Sequence, residues 1–381
     1  MTPVGGSVVM GRVGNAIDTQ RIPPVGVALC VDGEALERFG LILRHLAVGL
    51  VDQAVRTRLV SCDSRIENLA LGPIQAVLHQ PIHWPVSRRR TEHIIDALSQ
   101  QPPTVVHAMS HLSYRTALMI AEHFDADLVI QVTSLADCAA LAEFDASQAG
   151  RFVAFSDRLS GLLENEIKLP KEQIEVIRPG VQAFDRPACF ARPDRVPTVI
   201  CSAPLEKRTG VDRVIKAAEV LRKRDRRAMF FLVGQGSRES GLRRLARECE
   251  VSATVAFAQP GGEALSIMDS ADLFVRPADC QAFCADALQA MGAGLAVVTV
   301  PDSTGDHFRP SETALICETT SATSLAEGIE ELLQDRAMAQ RLGASAIEYV
   351  RANHAMSVMA ERTAALYRQL ALARSTFSIR E

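Results

Sequence analysis

The stretch 271–300, ADLFVRPADCQAFCADALQAMGAGLAVVTV, decides the fold. Leu273–Arg276 is a short apolar run stopped by Pro277; 283–292 is helix-forming and closed by Gly294; 295–300 is again apolar and β-branched. Strand, loop, helix and strand in that order make a parallel β-α-β unit. Ligands of such units bind in the crevice at the carboxyl ends of the strands. The loop 278–284 occupies that place.

Working outward, the same alternation fills the chain. Strand patterns at 25–31, 56–61, 74–78, 104–107, 128–132, 152–155 and 174–177 are mostly separated by helical ones. The first helix carries Leu36, Phe39, Leu43, Leu46 and Leu50 at steps of three and four. After a Pro-rich interruption with Pro179, Pro187, Pro193 and Pro197, the pattern restarts with strands 198–202, 229–233 and 254–257 and helices 210–223, 238–250 and 263–270. This predicts an α/β protein of two doubly wound parallel sheets facing a cleft. The expected divisions are a disordered tail 1–20, a first domain 21–178, a linker 179–197, a second domain 198–346 and C-terminal helices 347–381.

Composition supports large cores and narrows the partners. Of 381 residues, 48% are hydrophobic and 23% charged, and the net charge of -4 lacks the basic excess of a dedicated nucleic-acid binder. Nine cysteines, an odd number without paired metal-ligand spacing, read as free thiols in a reducing compartment. The first twenty residues lack a signal-peptide core, and no apolar run reaches the roughly 18 residues needed to span a bilayer, so a cytoplasmic location is expected.

The loop and its neighbours resemble the donor-site signature of retaining glycosyltransferases of the large fourth family, which have the GT-B fold. Pro277-Ala278 stands for the family's Pro-Ser, Gln281-Ala282-Phe283-Cys284 for Glu-Gly-Phe-Gly, and Gln289 for the helical second Glu. The resemblance extends to Ile177-Arg178-Pro179-Gly180-Val181, to the Gly-x-Gly of Gly234-Gln235-Gly236, and to Ala271-Asp272-Leu273-Phe274-Val275. It is dense over residues 170–350 and weak over 25–170. It implies transfer of a sugar from a nucleotide-diphosphate donor to a carbohydrate or lipid-linked acceptor with retention, without metal or bound cofactor. In GT-B enzymes the final helices cross back to the first domain.

Such a transfer needs positive charge on the departing diphosphate, groups that orient the sugar, and a positioned acceptor hydroxyl. Lys207 and Arg208, before a helix start, are the diphosphate candidates. Thr209 holds the place of the family's Lys, and Ala203-Pro204 that of its Arg. Gln281 and Gln289 inherit the signature carboxylate positions. An amide still hydrogen-bonds but loses the charge-assisted component, which weakens donor binding about 10- to 100-fold over two positions without forbidding it. Phe283 and Cys284 would line the sugar pocket, and Gly33, Gly234 and Gly236 would border the phosphates. His107 and His111 are the acceptor-side candidates, since a near-neutral imidazole orients or deprotonates a hydroxyl. Trp84 beside Arg88, Arg89 and Arg90 reads as a solvated helix start, with weak peripheral membrane contact as the alternative. Loss of both carboxylates equally suits a second reading, a catalytically degenerate GT-B protein acting as a binding or regulatory subunit.

Overall fold

A computed structural model describes residues 25–80, 88–144, 148–192, 194–260 and 266–378, without the side chains of 88–91 and 375–378. The expected tail 1–20, Trp84 and part of the helix expected at 263–270 lie outside the described residues, as do the side chains of Arg88, Arg89 and Arg90.

The chain forms two parallel sheets. The first contains β1 (Gly26–Cys30), β2 (Arg56–Ser61), β3 (Gln75–Leu78), β4 (Val105–Ala108), β5 (Asp127–Val132), β6 (Arg151–Ala154) and β7 (Ile174–Val176), in the order β3-β2-β1-β4-β5-β6-β7. The second contains β8 (Thr198–Ser202), β9 (Met229–Val233), β10 (Val255–Ala258), β11 (Leu273–Arg276), β12 (Ala296–Thr299) and β13 (Ala314–Ile316), in the order β10-β9-β8-β11-β12-β13. These are two Rossmann-like domains, and each reverses its strand order once. The reversals fall between β1 and β4 and between β8 and β11. Chain segments leaving those strands diverge to opposite faces, opening a crevice at the carboxyl edge.

Helices α1 (Gly33–Asp52), α2 (Arg88–Ser99), α3 (Tyr114–Phe124), α4 (Leu135–Glu143) and α5 (Asp157–Asn165) belong to the first sheet. Helices α6 (Val211–Lys223), α7 (Glu239–Glu248), α8 (Ala285–Gly292), α9 (Ala322–Gln334) and α10 (Arg336–Asn353) belong to the second. Helix α1 buries Ala35, Phe39, Ile42, Leu43, Leu46, Ala47 and Leu50, the stripe its three- and four-residue spacing requires. The last helix, α11 (Met356–Ser378), packs on α1 so closely that a Cβ on Gly49 would lie 2.5 Å from the Cβ of Ala360. The last helix in sequence therefore completes the core of the first lobe.

The segment 179–197 binds to the second lobe as a strap. Phe184 N donates to Gly292 O (2.9 Å), Ala188 N to Ala293 O (3.0 Å), and Phe190 N to Asp272 Oδ1 (2.8 Å). Across the cleft floor the lobes share backbone hydrogen bonds: Leu135 N to Gln281 O (2.9 Å) and Phe283 N to Thr133 O (2.8 Å), around a Ser134–Ala282 antiparallel bridge. That pairing draws Ala282 into a β-bridge directly after Gln281. Helix α8 consequently starts at Ala285, two residues later than the sequence pattern suggests.

Candidate functional site

The site is built from the loops that leave β8, β9 and β11. Gly234 (φ 156°) and Gly236 (φ 158°) press the β9 loop onto the β8 loop; a Cβ on Gly234 would lie 2.0 Å from Ala203 O, and one on Gly236 2.5 Å from Leu205 O. No side chain fits in that space. Glu206 completes the clamp by accepting from Ser237 N (2.5 Å) and Ser237 Oγ (2.7 Å). Lys207 and Arg208 protrude from the clamped turn into solvent, and among the described residues neither is paired with a carboxylate. Just beyond them α6 begins at Val211 after Gly210 at its N-cap, with no side chain capping its first turn, although Asp212 sits within it. Uncapped amides beside two unpaired cations form an electropositive corner suited to a diphosphate.

The β11 loop is the adjoining wall. Gly210 is in contact range of Pro277, so the two loops touch. Gln281 is exposed, with a left-handed backbone (φ 55°) that turns its amide N toward Asp279 Oδ1 (3.0 Å) and its carbonyl to the first lobe. Gln289 is half-buried in the middle of α8. Lys207, Arg208 and Gln281 thus leave adjacent strands at one end of the sheet, beside its reversal point.

One expectation fails on packing. Phe283 is 4% exposed, its ring edge-on to Phe155 (5.5 Å) and against His307 (4.9 Å). It joins the lobes as part of an aromatic stack and does not line a sugar pocket. Cys284 is half-buried immediately ahead of α8, and burial pushes its thiol up to about 12.

The first lobe brings its own crevice to the same place. Helix α1 is capped by Asp32, whose Oδ1 accepts from Glu34 N (2.9 Å) and Ala35 N (3.0 Å) and whose Oδ2 accepts from Ser110 Oγ. Gly33 is roofed by Asp63 and Arg65, with Arg65 donating to its carbonyl (3.0 Å). The expectation of a phosphate loop at Gly33 is therefore corrected: a carboxylate already occupies the amides an anion would use.

The two acceptor-side histidines separate. His107 is 1% exposed beneath α11, with Nδ1 2.7 Å from Tyr367 Oη, and burial drives its pKa down to about 3. It is a neutral core residue, which corrects its expected role at the acceptor. His111 lies beyond the end of β4, with 22% of its side chain exposed, and its Nδ1 lies 2.9 Å from Asp137 Oδ1. Asp137 is fully buried and also accepts from His111 N (2.9 Å), Thr133 N (2.8 Å) and Thr133 Oγ1 (2.9 Å). Burial pushes this carboxyl up, but the hydrogen bonds from His111 and Thr133 outweigh it and leave the pKa below the usual range. The same hydrogen bond holds the His111 pKa above its ordinary value, against partial burial. Arg38 on α1 reaches across to Thr133 O (3.5 Å) and ion-pairs with Glu34 (3.1 Å).

Sequence reasoning missed Asp137, Arg276 and Asp286. Arg276 ends β11 with only 4% of its side chain exposed, bridging Asp279 and Asp302 at 3.1 Å each. A lone arginine in an otherwise apolar buried strand was the available signal. Asp286 accepts from Ser202 Oγ at the end of β8; burial raises its pKa, partly offset by that hydrogen bond. Asp137 sits three residues after Ser134 and reads as an ordinary helix-start acid. Among the described residues no group of three metal-ligating side chains is present, and no helix is long and apolar enough to cross a membrane.

Residues 187–349, the lobe that carries the cation turn and the β11 loop, match the family model described as glycosyl transferases group 1. The C-terminal lobe belongs to that family. The chain is 30% identical over 217 residues to a GDP-mannose-dependent alpha-(1-6)-phosphatidylinositol monomannoside mannosyltransferase of Mycobacterium tuberculosis, covering 51% of this chain and 56% of the relative. It is 27% identical over 298 residues to the glycogen synthase of the same species, covering 70% and 68%. The chain thus spans little more than half the length of the mannosyltransferase it matches. A crystal structure of a glycosyltransferase from Rickettsia africae ESF-5 superposes with a TM-score of 0.76 over 91% of this chain and 98% of that one, at 15% identity. The two-lobed architecture is the GT-B fold.

Proposed function

We propose that the protein is a glycosyltransferase that moves a sugar from a nucleotide-diphosphate donor to a carbohydrate or glycoconjugate acceptor, with retention and without a metal. The observation that carries this reading is the convergence of Lys207, Arg208 and Gln281 at the carboxyl ends of β8 and β11, opposite His111 of the first lobe. Lys207, Arg208 and the amides opening α6 would stabilise the leaving diphosphate. The Gln281 turn would hold the sugar, and Gln289 the ribose. His111, its Nδ1 committed to Asp137, would present Nε2 to an acceptor hydroxyl. An oxygen of the donor phosphate would take the acceptor proton on the same face, so a protein base is not required.

Calorimetry with a panel of uridine, guanosine and adenosine diphosphate sugars tests this directly. Binding in the micromolar to millimolar range, with slow transfer or hydrolysis, is the expected result. No binding of any donor at millimolar concentration would overturn it. Binding without turnover would favour the second reading, a regulatory subunit, which the replacement of both signature carboxylates by Gln281 and Gln289 supports.

A further inference from the structure

We propose that Asp279 supplies the carboxylate of the donor site and holds a ring hydroxyl of the transferred sugar, positioned for this by Arg276. The inference rests on the glycosyltransferase reading and names the group that does what neither Gln281 nor Gln289 can do.

Three carboxylates flank the loop 277–284, and their hydrogen bonds distinguish them. Asp302 has both oxygens engaged: Oδ1 accepts from Arg276, Thr304 N and Thr304 Oγ1, and Oδ2 from Gly305 N. Asp286 lies behind the loop against Ser202, and its raised pKa reflects that burial. Asp279 differs. Its Oδ1 accepts from Arg276 Nη2 (3.1 Å) and from Gln281 N (3.0 Å), while among the described residues no hydrogen bond reaches Oδ2. The side chain is 29% exposed, and Oδ1 is fixed at two points while Oδ2 is left to accept.

The fixing comes from below. Arg276 is buried at the end of β11, where its guanidinium meets Asp279 and Asp302 and lies over the Phe308 ring (5.5 Å). A carboxylate anchored through one oxygen loses little freedom when the other accepts a hydroxyl, which makes it a pre-organised acceptor. Asp279 is also two residues from Gln281, in the turn whose backbone the Asp279–Gln281 hydrogen bond defines. The ligand chemistry is a neutral, hydroxyl-bearing sugar on a nucleotide diphosphate; an anionic sugar would be repelled.

The test is calorimetry on the full chain with UDP, UDP-glucose, GDP and GDP-mannose, for the wild type and Asp279→Asn. Asparagine keeps the shape and an acceptor oxygen for Arg276 and Gln281, and removes the charge. The expected result is about a 10-fold loss of affinity for the nucleotide sugar that the wild type binds, with the matching bare diphosphate within about twofold. Asp279→Glu, which retains the charge but shifts it by one methylene, should show the same selective loss. A deoxy-sugar donor missing the contacted hydroxyl should weaken wild-type binding and bring no further loss in Asp279→Asn. Equal losses for sugar and bare diphosphate, or no loss with a melting temperature unchanged, would overturn the role of Asp279 alone. Failure of the wild type to bind any of these four, and ADP and ADP-glucose as well, would overturn the glycosyltransferase reading and this inference with it.

Discussion

Replacing Asp137 with Asn disturbs the acceptor side of the cleft without touching the proposed donor contacts. The buried carboxylate accepts four hydrogen bonds, from His111 N, His111 Nδ1, Thr133 N and Thr133 Oγ1. An amide offers one acceptor oxygen and turns an NH2 toward the other pair, so at least one backbone N–H there is left facing a donor. An unsatisfied buried N–H costs about 1–3 kcal/mol, and loss of a charge-assisted bond adds about 1.5–3, for a total of about 2.5–6 kcal/mol. Against a typical stability of about 5–15 kcal/mol the variant still folds, with a clearly lower denaturation midpoint.

The pH dependence carries a signature of its own. His111 has its folded pKa raised above 6.5, so its contribution is fully present below pH 6.5 and is lost as pH rises through the raised value. Asp137 has its folded pKa lowered below 3.8, so its contribution is present above pH 3.8 and is lost as pH falls through the lowered value. The pair therefore stabilises most between about pH 4 and 6.5. Urea denaturation at pH 5.5 and 8.5, with an NMR titration of His111, measures both effects. Asp137→Asn should lower the His111 pKa and abolish the extra stability at pH 5.5. A cost below about 1 kcal/mol, or an unchanged His111 pKa, would refute the assignment of Asp137 as its partner.

Further substitutions separate binding from packing. Gly234→Ala would set a Cβ 2.0 Å from Ala203 O at φ 156°, so a drop in melting temperature corresponding to about 2–4 kcal/mol and impaired donor binding are expected. Lys207→Ala with Arg208→Ala, both exposed, should leave the melting temperature unchanged, weaken nucleotide-diphosphate binding about 10- to 100-fold and reduce its salt dependence, read by calorimetry at two ionic strengths. Tyr367→Phe strands His107 Nδ1 in the core and should cost about 1–3 kcal/mol in urea denaturation while kcat/KM stays at the wild-type value; a loss of activity at unchanged stability would return His107 to the acceptor site.

The architecture was legible because it is written in short-range pattern. Apolar runs of four to six residues alternating with three- and four-residue periodicity specify parallel strands and covering helices, and the order of elements alone places 278–284 and Lys207 at the carboxyl edge of the second sheet. The donor-side candidates followed from that placement together with the resemblance of these loops to the family's donor-site signature. Local sequence could not rank His107 against His111: one ends the strand pattern 104–107 and the other follows it by four residues, and only the arrival of Tyr367, 260 residues later, shows that His107 faces the core. Gly33 misled for a similar reason, since the flexible residue suggested an anion loop while the adjacent Asp32 folds back as the cap.

What the sequence determined is the set of strands, helices and loop positions, because hydrophobic periodicity acts over a few residues and each element carries its own copy. What the tertiary structure decided is which polar groups meet. Asp137 finds His111 across 26 residues, Arg276 finds Asp302 across 26, and the Gln281 turn pairs with Thr133 and Leu135 from the other lobe. Those partnerships depend on which strand ends the crossovers bring side by side and on how closely the lobes approach. Hydrogen bonds reach about 3 Å, and no periodicity along the chain encodes a match of that precision between distant segments.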